Sequence, residues 1–449
     1  MTTSAKSGSR QQIGLWSLVA ATYFMVSGGP YGLEDIVKSA GYWGAILLLI
    51  ITPMIWAMPT ASMVAELSST IPEDGGYYVW VRRAAGRFWG FQEAWLSLAA
   101  SIFDMAIYPT LFVAYLSRLL PGADTGWQGI AIGAVVIAVC VVWNLGGGKA
   151  VGDSSLAMLF VMFGPFIVLT AVALLHWQHA VLPPPVAQHS GFVTGLLVCM
   201  WNYMGFDNAS NVGGEVGDPQ RTYPRAMIVS VALITLGYVI PIAAMSHTGI
   251  SPSAWTTGAW ATLGGQIAGR WIEIAIVVGG MIAAVATFNS LTMSYSRLPM
   301  VMAQDGLLPK VLSRVTRKTG APWVSILACA ILWGACLGLG FERLVTLDVI
   351  LWGASMVLEF LALVLLRVRE PDLHRPFRVP GGVAACALLG VPPTALVVLA
   401  ALHGGHESLA GMNAMLFGAL IVLAGVVAYA ALRRSPRPQS VAEPARRLP

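Results

Sequence analysis

Two hydrophobic segments of this chain are interrupted by glycine, proline and acidic residues, and these interruptions constrain the fold most strongly. The first apolar stretch, 13–37, is broken by the run SGGPYGLED, which starts at Ser27. A later stretch, 191–216, is broken by YMGFDN, which starts at Tyr203. A helix that breaks inside a bilayer is tolerated only where protein encloses a cavity, because lipid cannot bind the freed N–H and C=O groups. Two such breaks at corresponding places in two halves are typical of a transporter binding site.

The composition indicates a protein that crosses the membrane many times. The chain is 57% hydrophobic and 10% charged, with mean hydropathy +0.72, whereas soluble domains carry about 25% charged residues. The five cysteines fall in apolar runs, and their spacing indicates neither a disulfide framework nor a metal site. We therefore expect an all-α membrane protein without cofactor or metal. Runs long enough to span a bilayer predict twelve transmembrane helices at 13–37, 43–69, 88–120, 127–145, 153–176, 191–216, 226–249, 268–300, 322–339, 345–366, 383–402 and 411–432.

Basic residues predict the orientation of these helices. With the N-terminus inside, the 26 lysines and arginines all lie inside except Lys38, Arg118, Arg270 and Arg343. The positive-inside rule then places both termini in the cytoplasm, in a multi-pass protein of the plasma membrane. The net charge of +5 reflects this bias and does not indicate nucleic-acid binding. We expect no cleavable signal peptide, because the first apolar run is longer than a signal segment and contains Pro30.

The predicted helices divide into a core and an addition. The two breaks lie about 175 residues apart, as expected if helices six to ten repeat helices one to five. We assign 13–367 to this transport core, 368–432 to helices eleven and twelve, 1–12 to a cytoplasmic tail, and 433–449 to a disordered cytoplasmic tail rich in proline and arginine. The outer loop 250–266 is expected to fold as a short cap.

Several motifs resemble one family of membrane proteins. The runs ELSSTIPEDGGY from Glu66, GEVGDPQRTYPR from Gly214 and QDGLLP from Gln304 resemble signatures of the amino acid–polyamine–organocation (APC) superfamily. The runs VSGGPYGLED from Val26 and FDMAIYP from Phe103 resemble its polyamine-uptake branch, best known from plants. This resemblance implies a five-plus-five inverted repeat with broken helices 1 and 6. It also implies a secondary transporter that works by alternating access.

Acidic residues within the predicted spans are the main candidates for function. A charge at the bilayer centre costs about 2.5–3.5 kcal/mol on insertion scales, so such residues are functional candidates by default. Asp104 lies in the middle of the third helix, Asp207 lies in the second break, and Glu34 follows the first break. Glu359 lies inside the tenth span without an evident partner. Four further acids lie nearer span ends and are expected to be solvated or paired: Glu93, Glu215, Glu273 and Asp348.

The placement of these acids favours a cationic substrate. In the implied architecture, each half-helix after a break directs its positive N-terminus at the cavity. Glu34 and Asp207 are expected at these two helix ends, where they would repel a substrate carboxylate and, with Asp104, attract an ammonium group. The sequence therefore predicts transport of an amine or polyamine. An amino acid permease or exchanger is the alternative, because Asn289 stands where the plant branch is expected to carry an acid.

The breaks supply the remaining candidate contacts. Glycines allow sharp turns that expose main-chain groups, although small residues also mediate close helix packing. Aromatic faces attract ammonium groups by about 0.5–2 kcal/mol, and Trp201 matches a position where an aromatic residue closes over substrate in relatives. The candidate substrate-binding residues are Ser27, Gly28, Gly29, Tyr31, Gly32, Glu34, Asp104, Trp201, Phe206, Asp207 and Asn208.

The coupling ion is expected to be a proton, carried by Asp207 or Glu34, with Trp201 as a gating residue. Some sodium-independent relatives carry a lysine in the middle of helix five, but the run VMFGPF from Val161 has none. Sodium is the alternative, because hydroxyls such as those of Thr287 and Ser290 could bind it between helices one and eight. No obligate protein partner is evident.

Two other classes of function fit the sequence less well. A membrane enzyme would need a nucleophile with a base, or a metal cluster, and the predicted spans contain neither. Two H-x-x-H pairs, His176 with His179 and His403 with His406, lack the acids or cysteines of a metal site and are interpreted as loop residues. A nutrient sensor would carry the same broken helices, but an added signalling domain would be expected.

Overall fold

Helices account for almost all of the chain that the structure describes. The computed structural model describes residues 12–175, 189–256, 258–338, 341–404, 408–409 and 412–434. Apart from a two-residue antiparallel pair, Ser408–Leu409 with Met412–Asn413, these residues form helices, turns and loops, which confirms the predicted all-α class. Nine helical segments within these ranges are long and apolar enough to cross a membrane. The predictions for residues 1–11, for the tail from 435 and for the pair His176 and His179 lie outside the described residues.

The first break separates α1 (Leu15–Val26) from α2 (Glu34–Thr52). Helix α2 continues through a short π-helical turn, Pro53–Ala57, into α3 (Met58–Thr70). Gly41 interrupts α2 with φ +69° and ψ 174°, a backbone conformation that favours glycine. The chain therefore bends at Gly41, between the first and second predicted spans. A short helical segment, 34–40, lies between the break and this bend.

The next helices are α4 (Gly76–Ala85), α5 (Arg87–Leu119), α6 (Gly126–Asn144), α7 (Gly148–Leu175) and α8 (His189–Asn202). The second break follows α8. Beyond it lie two 3₁₀ turns, Phe206–Asn211 and Gly213–Glu215, and then α9 (Pro219–Met245).

The segment after the second break differs from the expectation. We expected an α-helical half-helix whose positive end faces the cavity, but Phe206–Asn211 and Gly213–Glu215 are short 3₁₀ turns. The reason is crowding: a Cβ on Gly213 would lie 2.8 Å from the carbonyl oxygen of Glu73, so the chain passes directly against the backbone before α4. Turns this short lack the aligned peptide dipoles of a longer helix, so the dipole argument does not apply on this side.

The remaining helices include a cap over the first break. They are α10 (Ala259–Ala268), α11 (Arg270–Tyr295), α12 (Arg297–Gln304), α13 (Trp323–Gly334), α14 (Phe341–Arg369), α15 (Gly382–Gly404) and α16 (Ala414–Arg434), with 3₁₀ turns at Pro252–Ala254 and Lys310–Ser313. The Trp260 indole donates to the Pro30 carbonyl at 2.7 Å, and the Trp255 indole donates to the Tyr42 hydroxyl at 2.8 Å. The described residues of the loop 250–266 therefore pack over the first break, as expected for a short cap.

Ion pairs join the helix ends on one side of the bundle. The Arg367 guanidinium binds both carboxylate oxygens of Glu66 at 2.6 Å, and this pair is buried. The Arg297 guanidinium binds Glu215 at 2.6 Å, as expected for an acid near a span end. Arg83 and Glu370 form a more exposed pair, and the hydrogen bond from Arg83 holds the pKa of Glu370 below its ordinary value. The Glu66 and Arg83 contacts tie α3 and α4 to the C-terminal end of α14.

Loss of the buried pair should destabilise the fold strongly. Glu66→Ala leaves the buried Arg367 charge without its partner, and breaking such a pair costs about 3–5 kcal/mol. Glu370→Ala breaks only the exposed pair with Arg83 and should cost about 0–1 kcal/mol. Thermal unfolding in detergent should therefore show a much lower melting temperature for Glu66→Ala than for Glu370→Ala. Equal melting temperatures would show that the buried pair contributes no more than the exposed one.

Candidate functional site

A cavity lies between the two breaks and is enclosed by α1, α5, α8, α11 and α14. About 50 Å³ of it is open to the centres of water molecules, which is room for a few waters at about 10–15 Å³ each. Six of the predicted site residues line it: Gly28, Tyr31, Asp104, Trp201, Asn208 and Thr287. The other seven are not part of the wall: Ser27, Gly29, Gly32, Glu34, Phe206, Asp207 and Ser290.

Asp104 is the acidic residue of the cavity wall. Its side chain is 5% exposed, and it accepts a hydrogen bond from the Tyr108 hydroxyl at 2.6 Å and one from the Tyr295 hydroxyl at 3.4 Å. None of the ion pairs formed by the described residues includes Asp104. A buried carboxylate requires a cation or a proton to offset desolvation. The wall therefore offers one negative group that a cation in the cavity can neutralise.

Aromatic rings form part of the cavity wall. The Tyr31 hydroxyl donates to the carbonyl of Ile276 at 2.6 Å, and its ring packs edge-on against Tyr115 at 5.2 Å. Trp201 and Trp352 also line the cavity. Such rings present electron-rich faces that attract ammonium groups.

The first break places Glu34 behind the cavity. Its carboxylate accepts hydrogen bonds from the backbone N–H of Gly32 at 2.8 Å and of Gly258 at 3.2 Å. These contacts join the start of α2 to the cap loop. In this conformation the Glu34 carboxylate binds backbone N–H groups. From the sequence we expected it to face the substrate.

The other residues of the first break shape its backbone. The Ser27 hydroxyl oxygen accepts from the Gly29 N–H at 3.0 Å and from the Tyr238 hydroxyl at 2.6 Å. Gly29 has φ +86°, and a Cβ there would lie 2.6 Å from the Met162 sulfur. Gly32 has φ +87° and approaches Trp201. These positions require glycine for conformation and for close packing.

The second break places Asp207 one layer behind the cavity. Its Oδ2 accepts from the Trp352 indole at 3.1 Å, while its buried Oδ1 has no hydrogen-bond partner among the described residues. Phe206 is buried beside it. Asn208 lines the cavity and accepts hydrogen bonds from the Ser294 hydroxyl through its carbonyl at 2.8 Å and through its side chain at 3.1 Å.

The candidate ion-binding hydroxyls differ in their surroundings. Thr287 lines the cavity opposite Gly28, and within the described residues its buried hydroxyl has no hydrogen-bond partner. The Ser290 hydroxyl instead lies 3.0 Å from that of Ser155 on α7. Asn289 is buried and accepts from the Asn144 amide at 2.6 Å. In the part of the chain that the structure describes, no cluster of three His, Cys, Asp or Glu residues could bind a metal.

Two acids expected near solvent or a partner are buried instead. Asp348 is 1% exposed, and neither carboxylate oxygen has a hydrogen-bond partner among the described residues. Glu93 is fully buried and accepts one hydrogen bond, from the Ser97 hydroxyl at 2.8 Å. The expectation was wrong because hydropathy locates a residue along its own helix and does not show which neighbouring helices cover it. Glu359 is likewise fully buried, and both of its oxygens lack partners within the described ranges.

Three of the wall residues that the sequence did not predict donate hydrogen bonds to the predicted acids Asp104 and Asp207. Tyr108 follows Asp104 by one helical turn, and this i, i+4 spacing could have indicated it. Tyr295 and Trp352 reach the site from α11 and α14. No local signal marks them, because their role depends on how distant helices pack.

Comparison with known proteins gives consistent matches over nearly the whole chain. The amino acid permease family matches residues 13–426. The polyamine transporter RMV1 of Arabidopsis thaliana is 32% identical over 417 residues, which cover 92% of this chain and 84% of that protein. The polyamine transporter PUT1 of Oryza sativa subsp. japonica is also 32% identical, over 92% of this chain and 78% of that protein. The branched-chain amino acid permease BcaP of Bacillus subtilis is 26% identical over 71% of this chain and 72% of that protein.

The chain therefore belongs to the amino acid permease family, within the APC superfamily. The resemblance read from the motifs is confirmed. With nine apolar helical segments among its described residues, it is a multi-pass membrane protein. Its relatives are transporters and permeases, so it is a membrane transporter and not an enzyme.

Proposed function

We propose that this protein is a secondary transporter that moves an amine or polyamine across the cytoplasmic membrane by alternating access, coupled to protons. The observation that carries the proposal is Asp104, a buried carboxylate in the cavity wall whose two hydrogen bonds come from tyrosines and which no ion pair of the described residues includes. An ammonium group would neutralise this carboxylate. The aromatic walls would add cation–π attraction.

The polarity of the wall also disfavours a free carboxylate on the substrate. The wall residues include Asp104, several tyrosines and tryptophans, and small apolar residues of α11, but no lysine or arginine among the described residues. A substrate carboxylate would need donors from the breaks, where Glu34 already accepts the Gly32 N–H and Ser27 accepts the Gly29 N–H. The names of the two plant relatives, both polyamine transporters, support the same choice.

An amino acid permease or exchanger is the second candidate. Its specific support is the similarity to the branched-chain amino acid permease of Bacillus subtilis and to the serine/threonine exchanger SteT of the same organism, which is 26% identical over 59% of this chain. In that case the main-chain groups of the two breaks would bind the amino and carboxyl groups of the substrate.

The proposal includes the arrangement of the chain. Twelve transmembrane helices would form a five-plus-five inverted-repeat core over 13–367 and two added helices over 368–432, with both termini in the cytoplasm. The distribution of lysine and arginine supports this orientation. The interruptions at Ser27–Leu33 and Tyr203–Gly205, which face one cavity, support the repeat.

Reconstituted protein tests this proposal. Purified protein in proteoliposomes with an alkaline interior should accumulate labelled putrescine or spermidine, and collapse of the pH gradient should abolish the accumulation. A panel of neutral amino acids should not accumulate. Accumulation of an amino acid without uptake of either amine would replace the proposed function with the second candidate.

Binding should also depend on pH in a defined direction. Attraction of an ammonium group requires an ionised Asp104, and protonation at lower pH removes that charge. If binding displaces one proton, the dissociation constant of putrescine should rise up to tenfold per unit decrease in pH. Titration calorimetry in detergent measures this without any gradient. An affinity that stays constant between pH 8 and pH 5 would contradict a carboxylate-based site.

A further inference from the structure

Two neighbouring helices carry acids at the same spacing. Helix α5 carries Glu93 and Asp104, and helix α14 carries Asp348 and Glu359, so each pair is separated by eleven residues. Eleven residues make three helical turns and span about 16 Å, which places both acids of a helix on the same face. Because Arg83, before α5, binds Glu370, after α14, the two helices run antiparallel. The acids therefore meet as two pairs.

The pairing is consistent with the electrostatic contacts. The charge of Asp104 acts on Asp348, and the charge of Glu93 acts on Glu359. We call Asp104 with Asp348 the cavity pair, because Asp104 lines the cavity and Asp348 precedes the wall residue Trp352 by one turn. We call Glu93 with Glu359 the inner pair.

Asp207 accepts a hydrogen bond from Trp352, which lies on α14 between Asp348 of the cavity pair and Glu359 of the inner pair. Its charge acts on Asp348 and on both members of the inner pair. Its Oδ1 is buried without a hydrogen-bond partner in the described part of the chain. The second break therefore places a carboxylate within electrostatic range of both pairs.

A hydroxyl group completes the surroundings of the inner pair. The Tyr77 hydroxyl on α4 is fully buried, lies beside the Asn211 side chain, and interacts with the charges of Glu93, Asp207 and Glu359. The hydroxyl of Tyr78, the next residue on α4, also interacts with the charge of Glu93. No arginine, lysine or histidine of the described residues forms an ion pair with the inner pair.

These observations point to protons as the occupants of the inner pair. Two buried carboxylates within interaction range cannot both stay ionised without a cation. Part of their hydrogen-bonding capacity is unused: both oxygens of Glu359 and one of Glu93 have no partner in the described ranges. Neither residue of the inner pair lines the cavity that would hold an amine, so we assign a proton to this pair.

We propose that Glu93 and Glu359 form the proton-coupling site of this transporter, connected to the substrate cavity through Asp207. Each transfer moves one proton from a carboxyl group to the next carboxylate: from the cavity pair to Asp207, and from Asp207 to the inner pair. The proton leaves the inner pair towards the side on which α5 begins. This inference rests on the proposed function and replaces Glu34, whose oxygens bind backbone donors, as a coupling residue.

Separate measurement of coupling and exchange tests the inference. Glu359→Gln and Glu93→Gln keep the shape of the side chain but cannot cycle a proton. In proteoliposomes, each variant should lose at least tenfold of pH-gradient-driven putrescine accumulation. Each should keep exchange of labelled for unlabelled putrescine at equal pH within about twofold, because exchange requires no net proton movement. Glu273→Gln, in the first turn of α11 and outside both pairs, is the matched control and should retain both activities.

The outcomes are distinct. Gradient-driven accumulation at the wild-type level in both variants, or equal loss of accumulation and exchange in variants that melt at the wild-type temperature, would overturn the inference. If a glutamine variant fails to fold, Tyr77→Phe replaces it and should lower gradient-driven uptake while leaving exchange intact; equal effects on both would overturn the inference. If the wild type exchanges neither putrescine nor spermidine, the proposed amine function fails, and the same two assays with the amino acid that it transports decide the role of the inner pair.

Discussion

Asp104→Asn is expected to weaken putrescine binding about a hundredfold. The substitution removes the negative charge from the cavity wall and keeps the size of the side chain, so Tyr108 and Tyr295 retain a hydrogen-bond partner. Loss of one partner of a buried charge pair costs about 2–5 kcal/mol, and a hundredfold change corresponds to about 2.7 kcal/mol. Titration calorimetry with purified protein in detergent gives the two dissociation constants directly.

The matched control for this change is Asp153→Asn. Asp153 pairs with Lys149 at the start of α7, is half exposed, and lies outside the cavity. It should bind putrescine as the wild type does. If Asp104→Asn binds putrescine with unchanged affinity and melts at the wild-type temperature, the cavity carboxylate does not bind the substrate, and the amine proposal loses its central group.

Gly205→Ala is expected to disrupt the contact between the two breaks. Gly205 has φ +108°, and a Cβ there would lie 2.5 Å from the carbonyl oxygen of Met25 on α1. The left-handed conformation alone costs a non-glycine residue about 1–2 kcal/mol, and a backbone oxygen cannot move aside as a flexible side chain does. We expect a loss of about 2 kcal/mol or more in stability and at least a tenfold decrease in transport.

Gly164→Ala provides the comparison for Gly205→Ala. Gly164 lies within α7, and a Cβ there would meet no atom within 4 Å. Alanine is the better helix former by about 1 kcal/mol, so this variant should be as stable as the wild type or slightly more stable. Melting temperature and putrescine exchange should be measured for both variants. Equal behaviour of the two would mean that the breaks do not need this close approach.

The breaks and the central acid Asp104 could be predicted from the sequence, because both depend on local sequence signals. Glycine and proline inside an apolar run interrupt a helix regardless of what surrounds it, and α1 ends at Val26, directly before the predicted run. Asp104 stands out because a carboxylate in the middle of a span requires a reason. The structure places it in the cavity wall.

The remainder of the site depends on how distant helices pack. The direction of the Glu34 carboxylate is determined by the Gly258 N–H, which belongs to a loop more than two hundred residues away. The burial of Asp348 and Glu359 depends on α14 lying against α5. The eleven-residue spacing is visible in the sequence, but its meaning appears only once these helices are known to be antiparallel neighbours.

The measurement that tests the central claim most directly is equilibrium competition binding in detergent at pH 7.5, with labelled putrescine displaced by unlabelled ligands. No gradient exists in detergent, so the result reports the cavity alone. Unlabelled putrescine or spermidine should displace the label, whereas alanine and leucine, which carry a carboxylate, should not displace it at a hundredfold higher concentration. If alanine or leucine binds well and the diamine does not, the cavity selects a zwitterion, and the amino acid permease function applies to this protein.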